Sequence, residues 1–450
     1  MNVRRWLMPG IGVKRWLLVV FLGLLLLALG VAHLLRQVSR DLAPGGIAQV
    51  LIDLATLQFL PYPFRGLIVG AIGLGILAIG TVRLIRAFTD PLRGDLGDGP
   101  PLVEVIYQKR FLARGPRIVA VGGGTGLSTL LRGVKEHTGN LTAVVTVADD
   151  GGSSGILRTE LGIPPVGDIR NCIAALADAE PLMSQLLQYR FPGPDGETGL
   201  AERDEEDTPG LRGHAVGNLL IAALTAIEDG DFEEGVRRMN RVLAVRGQVL
   251  PVSSVPLTLH ASLRDGSIID GQSQISRSRG IERVWLTPDD VKASEDAVAA
   301  IAEADLVVLG PGSLYTSLLP ALLLPAIRAA VQASPGLRVF VCNVATQVGE
   351  TAGYDLADHL AALVAHTGPG LVDVVVANNQ FGARRPTGWP AESVRLRWPP
   401  AGGGEPQLIL DDIVDPENAH HHDPERLAGA LLRVLEQEGS RRRSAVARSA

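Results

Sequence analysis

RIVAVGGGTGLSTLL (residues 117–131) and VADDGGSSGILRTELGIPPVGDIRN (residues 147–171) decide the fold of this chain. Each starts with a short apolar run, passes through a glycine- and hydroxyl-rich turn, and continues with helical spacing. A fully apolar strand of this length is buried on both faces, the situation of a parallel sheet covered by helices. The runs DLVVLG (305–310), LRVFVCNV (337–344) and VDVVVAN (372–378) repeat the pattern, alternating with helical segments. The expected fold is therefore α/β: a doubly wound, mostly parallel sheet. QVLPVSSVPLTLHASLRDGSIIDGQ (248–272) alternates differently and is read as antiparallel strands turning at Asp265-Gly266, a β-rich segment inserted into that fold.

Outward from this core, the 450-residue chain carries a formal net charge of −6, which excludes a broad nucleic-acid face. Its two cysteines, Cys172 and Cys342, have no paired spacing, so neither a disulfide framework nor a cysteine metal site is expected. The mean hydropathy of +0.21 comes largely from the N-terminal region. Trp16 to Leu35 holds no Asp, Glu, Lys or Arg and is long enough to cross a bilayer. It exceeds the apolar core of a signal peptide. A second apolar run, Gly66 to Val82, is glycine-rich in the manner of membrane helices. Arg4, Arg5, Lys14 and Arg15 precede the first run, and Arg83, Arg86 and Arg93 follow the second, so both flanks read as cytoplasmic.

The domain plan expected is an anchor over 1–89, with transmembrane helices at about 16–35 and 66–86, and a Pro/Gly linker over 90–114. An α/β domain over 115–437 follows, interrupted by an acidic loop at 191–212. Residues 438–450 are read as a disordered basic tail. The large domain is placed on the cytoplasmic side of the cell membrane.

Four turns at strand ends supply the candidate site, where open α/β sheets place ligands. The first, Gly122, Gly123, Gly124, Thr125 and Gly126, permits close backbone approach and presents free amides at a helix start, a setting for phosphate. It has neither the dinucleotide spacing nor the P-loop lysine. The second offers Asp149 and Asp150, a carboxylate pair suited to Mg²⁺ beside phosphates, followed by Gly152, Ser153 and Ser154 as an anion nest. Asp168, which reads equally as a helix cap, is followed by Arg170 and Asn171. His214 and Asn218 lie one helical turn apart. The third turn contributes Gly310, Gly312, Ser313 and Tyr315. The fourth contributes Asn343 and Gln347, with Thr346, Gly349, Glu350 and Thr351 beside them. No nucleophile, base and orienter assemble from these residues, and His420, His421 and His422 lack metal-ligand spacing elsewhere.

The ordered set VGGGTGLSTLLRGVK, VTVADDGGSSGILR, PPVGDIRNC, GHAVGN, RVLAVRGQVLP, VLGPGSLYTSLLP, CNVATQVGET and HDPERLA resembles the bacterial gluconeogenesis-factor family, related to the 2-phospho-L-lactate transferases, over about residues 115–435. The N-terminal hairpin stands outside this resemblance. The resemblance implies a Rossmann-like domain that binds a nucleotide diphosphate compound, UDP-N-acetylglucosamine in this branch, and a role in cell shape and peptidoglycan precursor supply. It implies that Gly122 to Gly126 and Gly310 to Ser313 cradle phosphates, and that Asp149, Asp150, Asn171, His214, Asn218 and Tyr354 line the crevice. Ala215, Val216, Val348 and Ala352 depart from the family's usual serine, phenylalanine, proline and aspartate. Two functions stay open: a membrane-tethered, non-catalytic sensor acting through a cell-wall synthesis protein, and a Mg²⁺-dependent phosphotransferase. Homo-oligomers fit either.

Overall fold

The computed structural model describes residues 111–177, 181–192, 210–384, 391–398 and 406–449, together with isolated positions nearer the N-terminus. The expected transmembrane helices, most of the linker and most of the acidic loop lie outside the described residues. Leu112 to Ala450 is one compact unit. It begins slightly before the expected boundary at 115, because Leu112 is buried and its carbonyl accepts the Gly115 and Gly139 amides.

In chain order the elements are β1 (Ile118–Gly122), α1 (Gly124–Val134), β2 (Leu141–Val145), α2 (Gly152–Leu161), α3 (Gly167–Leu176), α4 (Pro181–Gln188), α5 (Val216–Ile227) and α6 (Phe232–Val242). They continue with β3 (Gln248–Pro251), β4 (Thr258–Leu263), β5 (Ile268–Asp270), α7 (Gln272–Ile275), β6 (Ile281–Thr287), α8 (Glu295–Ala302) and β7 (Leu306–Leu309). A π-helical turn (Leu314–Leu318) leads into α9 (Leu319–Leu322) and α10 (Pro325–Ala333). The chain then forms β8 (Leu337–Val341), α11 (Leu356–Thr367), β9 (Val374–Asn378), β10 (Gln407–Asp411), β11 (Val414–Asp415), β12 (Asn418–His422) and α12 (Pro424–Ser449).

Seven strands form one sheet in the order β10-β9-β8-β7-β1-β2-β3, and every pairing in it is parallel. All residues of β1, β2, β7 and β9 are buried, as their uninterrupted apolar sequences require. From β1 the chain winds through β2 to β3 on one side and from β7 outward on the other. The switch point between β1 and β7 opens a crevice at their C-terminal ends.

Two expectations are corrected. Gln248–Pro251 is not part of the antiparallel insert: it pairs parallel with β2 as the sheet edge. The insert is the three-stranded sheet β5-β4-β6, whose hairpin turns at Asp265-Gly266 as expected. The basic tail is also not irregular, since α12 runs to Ser449; its arginines and alanines are good helix formers. Among the described residues no single helix is long and apolar enough to cross a membrane. Leu314–Leu323 and Pro325–Ala333 are apolar and bent by 83° at their junction, and the first of them is almost wholly core.

Candidate functional site

The glycine turns after β1 and β7 are packed against each other. A Cβ on Gly126 would lie 2.8 Å from the Pro311 carbonyl, and one on Gly312 would lie 3.0 Å from the Gly123 carbonyl oxygen. Glycine is required here for backbone to meet backbone. Gly124 has φ of 68°, a further demand for glycine. The amide of Gly124 at the start of α1 is taken by the Asp168 carboxylate, and a Cβ on Gly123 would strike Asp168 Oδ2 at 2.4 Å. Gly122 is buried behind them, and Thr125 is exposed with its carbonyl bonded by Thr129 Oγ1.

Asp168 is therefore not a helix cap. Val166 holds the cap position of α3, and Asp168 reaches from the first turn back to α1. Part of its surface opens to a cavity while protein encloses the rest. That enclosure, with the Asp149 charge beside it, pushes its carboxyl up to about 7. Burial also raises the Asp149 carboxyl, against hydrogen bonds from the Gly151 amide and the Ser154 hydroxyl. Asp150 faces elsewhere: its Oδ1 accepts the Ser273 amide at 2.8 Å at the start of α7. The carboxylate pair in the cavity is Asp149 with Asp168, not Asp149 with Asp150.

The cavity, of about 250 Å³, is lined by Asp149, Gly152, Ser153, Ser154, Asp168, Arg170, Asn171, Arg190 and Asn218, with Gly151 and Gly167. Neither α2 nor α3 has a side-chain cap, so their first amides are available along its wall. Arg170 is 5% exposed, and its Nε and Nη1 have no hydrogen-bond partner. Its remaining nitrogen, Nη2, donates to Asn171 Oδ1 at 2.9 Å. Burial and the neighbouring Arg190 lower its guanidinium to about 10. Two partnerless charged N–H groups in a protein interior are costly, and the cost is recovered when an anion binds.

Gly217 explains why the GHAVGN element matters. A Cβ there would lie 2.8 Å from Arg170 Cγ and 2.9 Å from Cδ, so this glycine leaves the channel through which the arginine stem runs. His214 and Asn218 face one side, as their spacing predicts. Asn218 Nδ2 donates to Ser153 Oγ at 3.0 Å, and Ser153 Oγ lies 3.1 Å from His214 Nδ1. The Ser153 hydroxyl accepts from Asn218 Nδ2, and its bond with His214 Nδ1 runs in whichever direction the ring's tautomer sets. Asn218 Oδ1 is buried without a partner.

The third and fourth turns do something else. The Gly312 amide donates to Asn343 Oδ1 at 3.1 Å, and Asn343 Nδ2 returns a bond to the Gly312 carbonyl at 2.8 Å. Gln347 Nε2 donates to Ser313 Oγ at 2.6 Å. Glu350, wholly buried, accepts the Tyr315 amide at 2.9 Å and the Thr316 hydroxyl, so a carboxylate from the protein sits at this helix start. Burial outweighs those bonds and raises the Glu350 carboxyl to about 7. Tyr315 and Tyr354 bond each other through their hydroxyls at 2.9 Å. Gly310, Gly312, Ser313, Tyr315, Asn343, Gln347 and Tyr354 are thus brought together, with these donors engaged by protein acceptors.

Sequence reasoning missed Arg190, for which no signal existed in LLQYRFPG, and the cap role of Glu350. Among the described residues no cluster of three metal-ligating side chains occurs. In the His420–His422 strand, His422 is buried and burial lowers it to about 4. Cys172 and Cys342 are free and buried. A larger cavity of about 370 Å³ lies at the opposite ends of β1 and β2, but Arg117, Asn140 and Gln248 in its wall are already bonded to protein.

The family model of 2-phospho-L-lactate transferase CofD matches residues 118–387, from β1 through the turn after β9. The chain belongs to the CofD family. Similar proteins are named as gluconeogenesis factors. The Bacillus subtilis gluconeogenesis factor is 44% identical over 336 residues, covering 72% of this chain and 99% of its own. A Nostoc putative gluconeogenesis factor is 44% identical over 382 residues, covering 84% of this chain and 79% of its own. The Deinococcus radiodurans counterpart is 37% identical over 441 residues, 96% of this CofD-family chain and 90% of its own, so its likeness extends well into the N-terminal region. That corrects the expectation that this region stands apart. A crystal structure of a Bacillus halodurans protein, 42% identical, superposes with a TM-score of 0.62 over 71% of this chain and 100% of that one.

Proposed function

We propose that this gluconeogenesis-factor homologue binds a phosphorylated ligand in the Asp149–Asn218 cavity as a regulator of cell shape and peptidoglycan precursor supply, with UDP-N-acetylglucosamine as the ligand. The observation that carries the reading is Arg170, buried with two partnerless guanidinium nitrogens beside the uncapped starts of α2 and α3. These are donors for phosphoryl oxygens. Asn218 Oδ1 adds a bare acceptor for a hydroxyl or amide of the same ligand. At about 250 Å³ the cavity takes the phosphate end, and the rest of a nucleotide sugar lies outside it. The apolar runs at 16–35 and 66–86 would hold this domain at the cytoplasmic face of the membrane, near a cell-wall synthesis partner.

The alternative is a 2-phospho-L-lactate transferase-like reaction, favoured by the Asp149–Asp168 pair. Two neighbouring carboxyls, both raised, suit a divalent cation that would relieve their repulsion. Asp149 and Asp168 would hold Mg²⁺, which would neutralise charge on phosphoryl oxygens. Arg170 and the α2 amides would orient those oxygens.

Calorimetry on residues 111–450 tests the choice. That fragment corresponds to a relative consisting of this unit alone, which folds and crystallises. Saturable heat with UDP-N-acetylglucosamine, with no product formed, supports the regulator. Absence of binding together with Mg²⁺-dependent transfer to a deazaflavin acceptor supports the transferase.

A further inference from the structure

The β4–β6 sheet turns one face inward, through Leu259, Ala261 and Val284. Its other face carries Ile268, Ser262 and Arg283 in one cross-strand row, and Asp270, His260 and Trp285 in the next. Ile268 is 65% exposed, and Trp285 is half-buried under the stacked His260 ring. Around the start of β6 stand Arg264, Arg277, Arg279 and Arg283, all exposed. The Arg264 amide donates to the Gly280 carbonyl, which brings the hairpin end beside this arginine-rich turn.

None of the four arginines forms an ion pair with a described residue. The acids nearby are committed: Asp265 accepts from Ser267 in its own turn, Asp270 binds His260, and Asp150 caps α7. Glu282 is the single acid from 277 to 287. A chain of net charge −6 thus keeps an unneutralised cationic edge beside an exposed isoleucine and an indole. Arginine with Trp and aliphatic side chains on an open surface is the chemistry of a membrane interface. The apolar runs near the N-terminus would keep this unit close to one.

We propose that the arginine edge of the β4–β6 sheet docks on anionic phospholipid headgroups. The contact orients the domain on the bilayer surface, and the anionic leaflet supplies the counter-charge the protein lacks.

The test is co-sedimentation of residues 111–450 with vesicles, so the outcome is independent of whether 16–35 and 66–86 span a membrane. It is also independent of what the cavity binds. The expected result is sedimentation with phosphatidylglycerol-rich vesicles, not with phosphatidylcholine vesicles, and release by high salt. The combined variant Arg264→Gln, Arg277→Gln, Arg283→Gln should partition about a hundredfold less. Arg279 is left intact because its Nε bonds the Val348 carbonyl. An unchanged melting temperature shows that the variant is folded; should it melt early, the single Arg277→Gln and Arg283→Gln variants, each several-fold weaker, replace it. Equal sedimentation with neutral vesicles, no sedimentation with either, or undiminished partitioning of the folded variants overturns the proposal. So does capture of a polyglutamate peptide without vesicle binding.

Discussion

Two regions at the carboxyl ends of the same sheet look alike in sequence and differ in what their donors do. Around Gly310–Tyr354, glycines, hydroxyls and amides close on Asn343, Gln347 and Glu350, all from the protein. Around Asp149–Asn218, uncapped helix starts and a buried arginine face a cavity with donors left over. Both regions hold a buried carboxyl raised to about 7, but Glu350 is satisfied by Tyr315 and Thr316 of the facing turn whereas Asp168 sits beside a second carboxylate. A glycine-rich turn therefore marks close packing of backbone, and only the fate of its N–H groups marks a ligand site.

The largest effect that can break this contrast comes from Arg170→Met. It would remove the charge-assisted bonds proposed for the ligand and should weaken UDP-N-acetylglucosamine by about a hundredfold or more in calorimetry. Thermal stability should change little, because removing a buried charge with two partnerless nitrogens is offset by the lost attraction to Asp149 and Asp168. Gly217→Ala attacks the same arginine from behind. Its methyl group would displace the Arg170 stem, costing about tenfold in affinity and ~1–3 kcal/mol of stability in denaturant titrations.

On the clamp side, Glu350→Gln should leave affinity within a few-fold but change the pH dependence of stability. The Glu350 carboxyl is raised on folding, so its stabilising contribution is complete below its unfolded value near 4.5 and fades as pH rises through about 7. The unfolding free energy of the wild type, relative to Glu350→Gln, should fall by up to ~3 kcal/mol across that window. A constant difference would mean that the Glu350 carboxyl is not raised on folding. The smallest effect is expected from Asp150→Asn, which weakens the cap on α7 by about 0.5–1 kcal/mol. It should leave any Mg²⁺ response intact, whereas Asp149→Asn or Asp168→Asn should remove that response.

The parallel strands and the positions of all four turns were legible because buried strands and glycine turns leave local signatures. Asp149, Ser153 and Ser154 were read from such a turn, Asn171 from a helix start and Asn218 from its one-turn spacing to His214, and all five line the cavity. The pairing of Asp149 with Asp168 was not legible, since it depends on α3 packing over α1 after the intervening helix α2. Asp150 misled because adjacent residues in an extended segment point to opposite sides. Gln248–Pro251 was misassigned because a short edge strand carries no mark of its partner's direction. Arg190 reaches the cavity only because Arg190 and Ala215 pair across the acidic loop, a contact that sequence spacing does not encode.

The most direct test compares both regions with one ligand: UDP-N-acetylglucosamine titrated calorimetrically into wild type, Arg170→Met and Tyr354→Phe forms of residues 111–450. Heat should disappear in Arg170→Met and survive, with affinity within a few-fold, in Tyr354→Phe. Binding that survives in Arg170→Met and is lost in Tyr354→Phe would contradict that expectation, placing the ligand on the Gly310–Tyr354 loops instead.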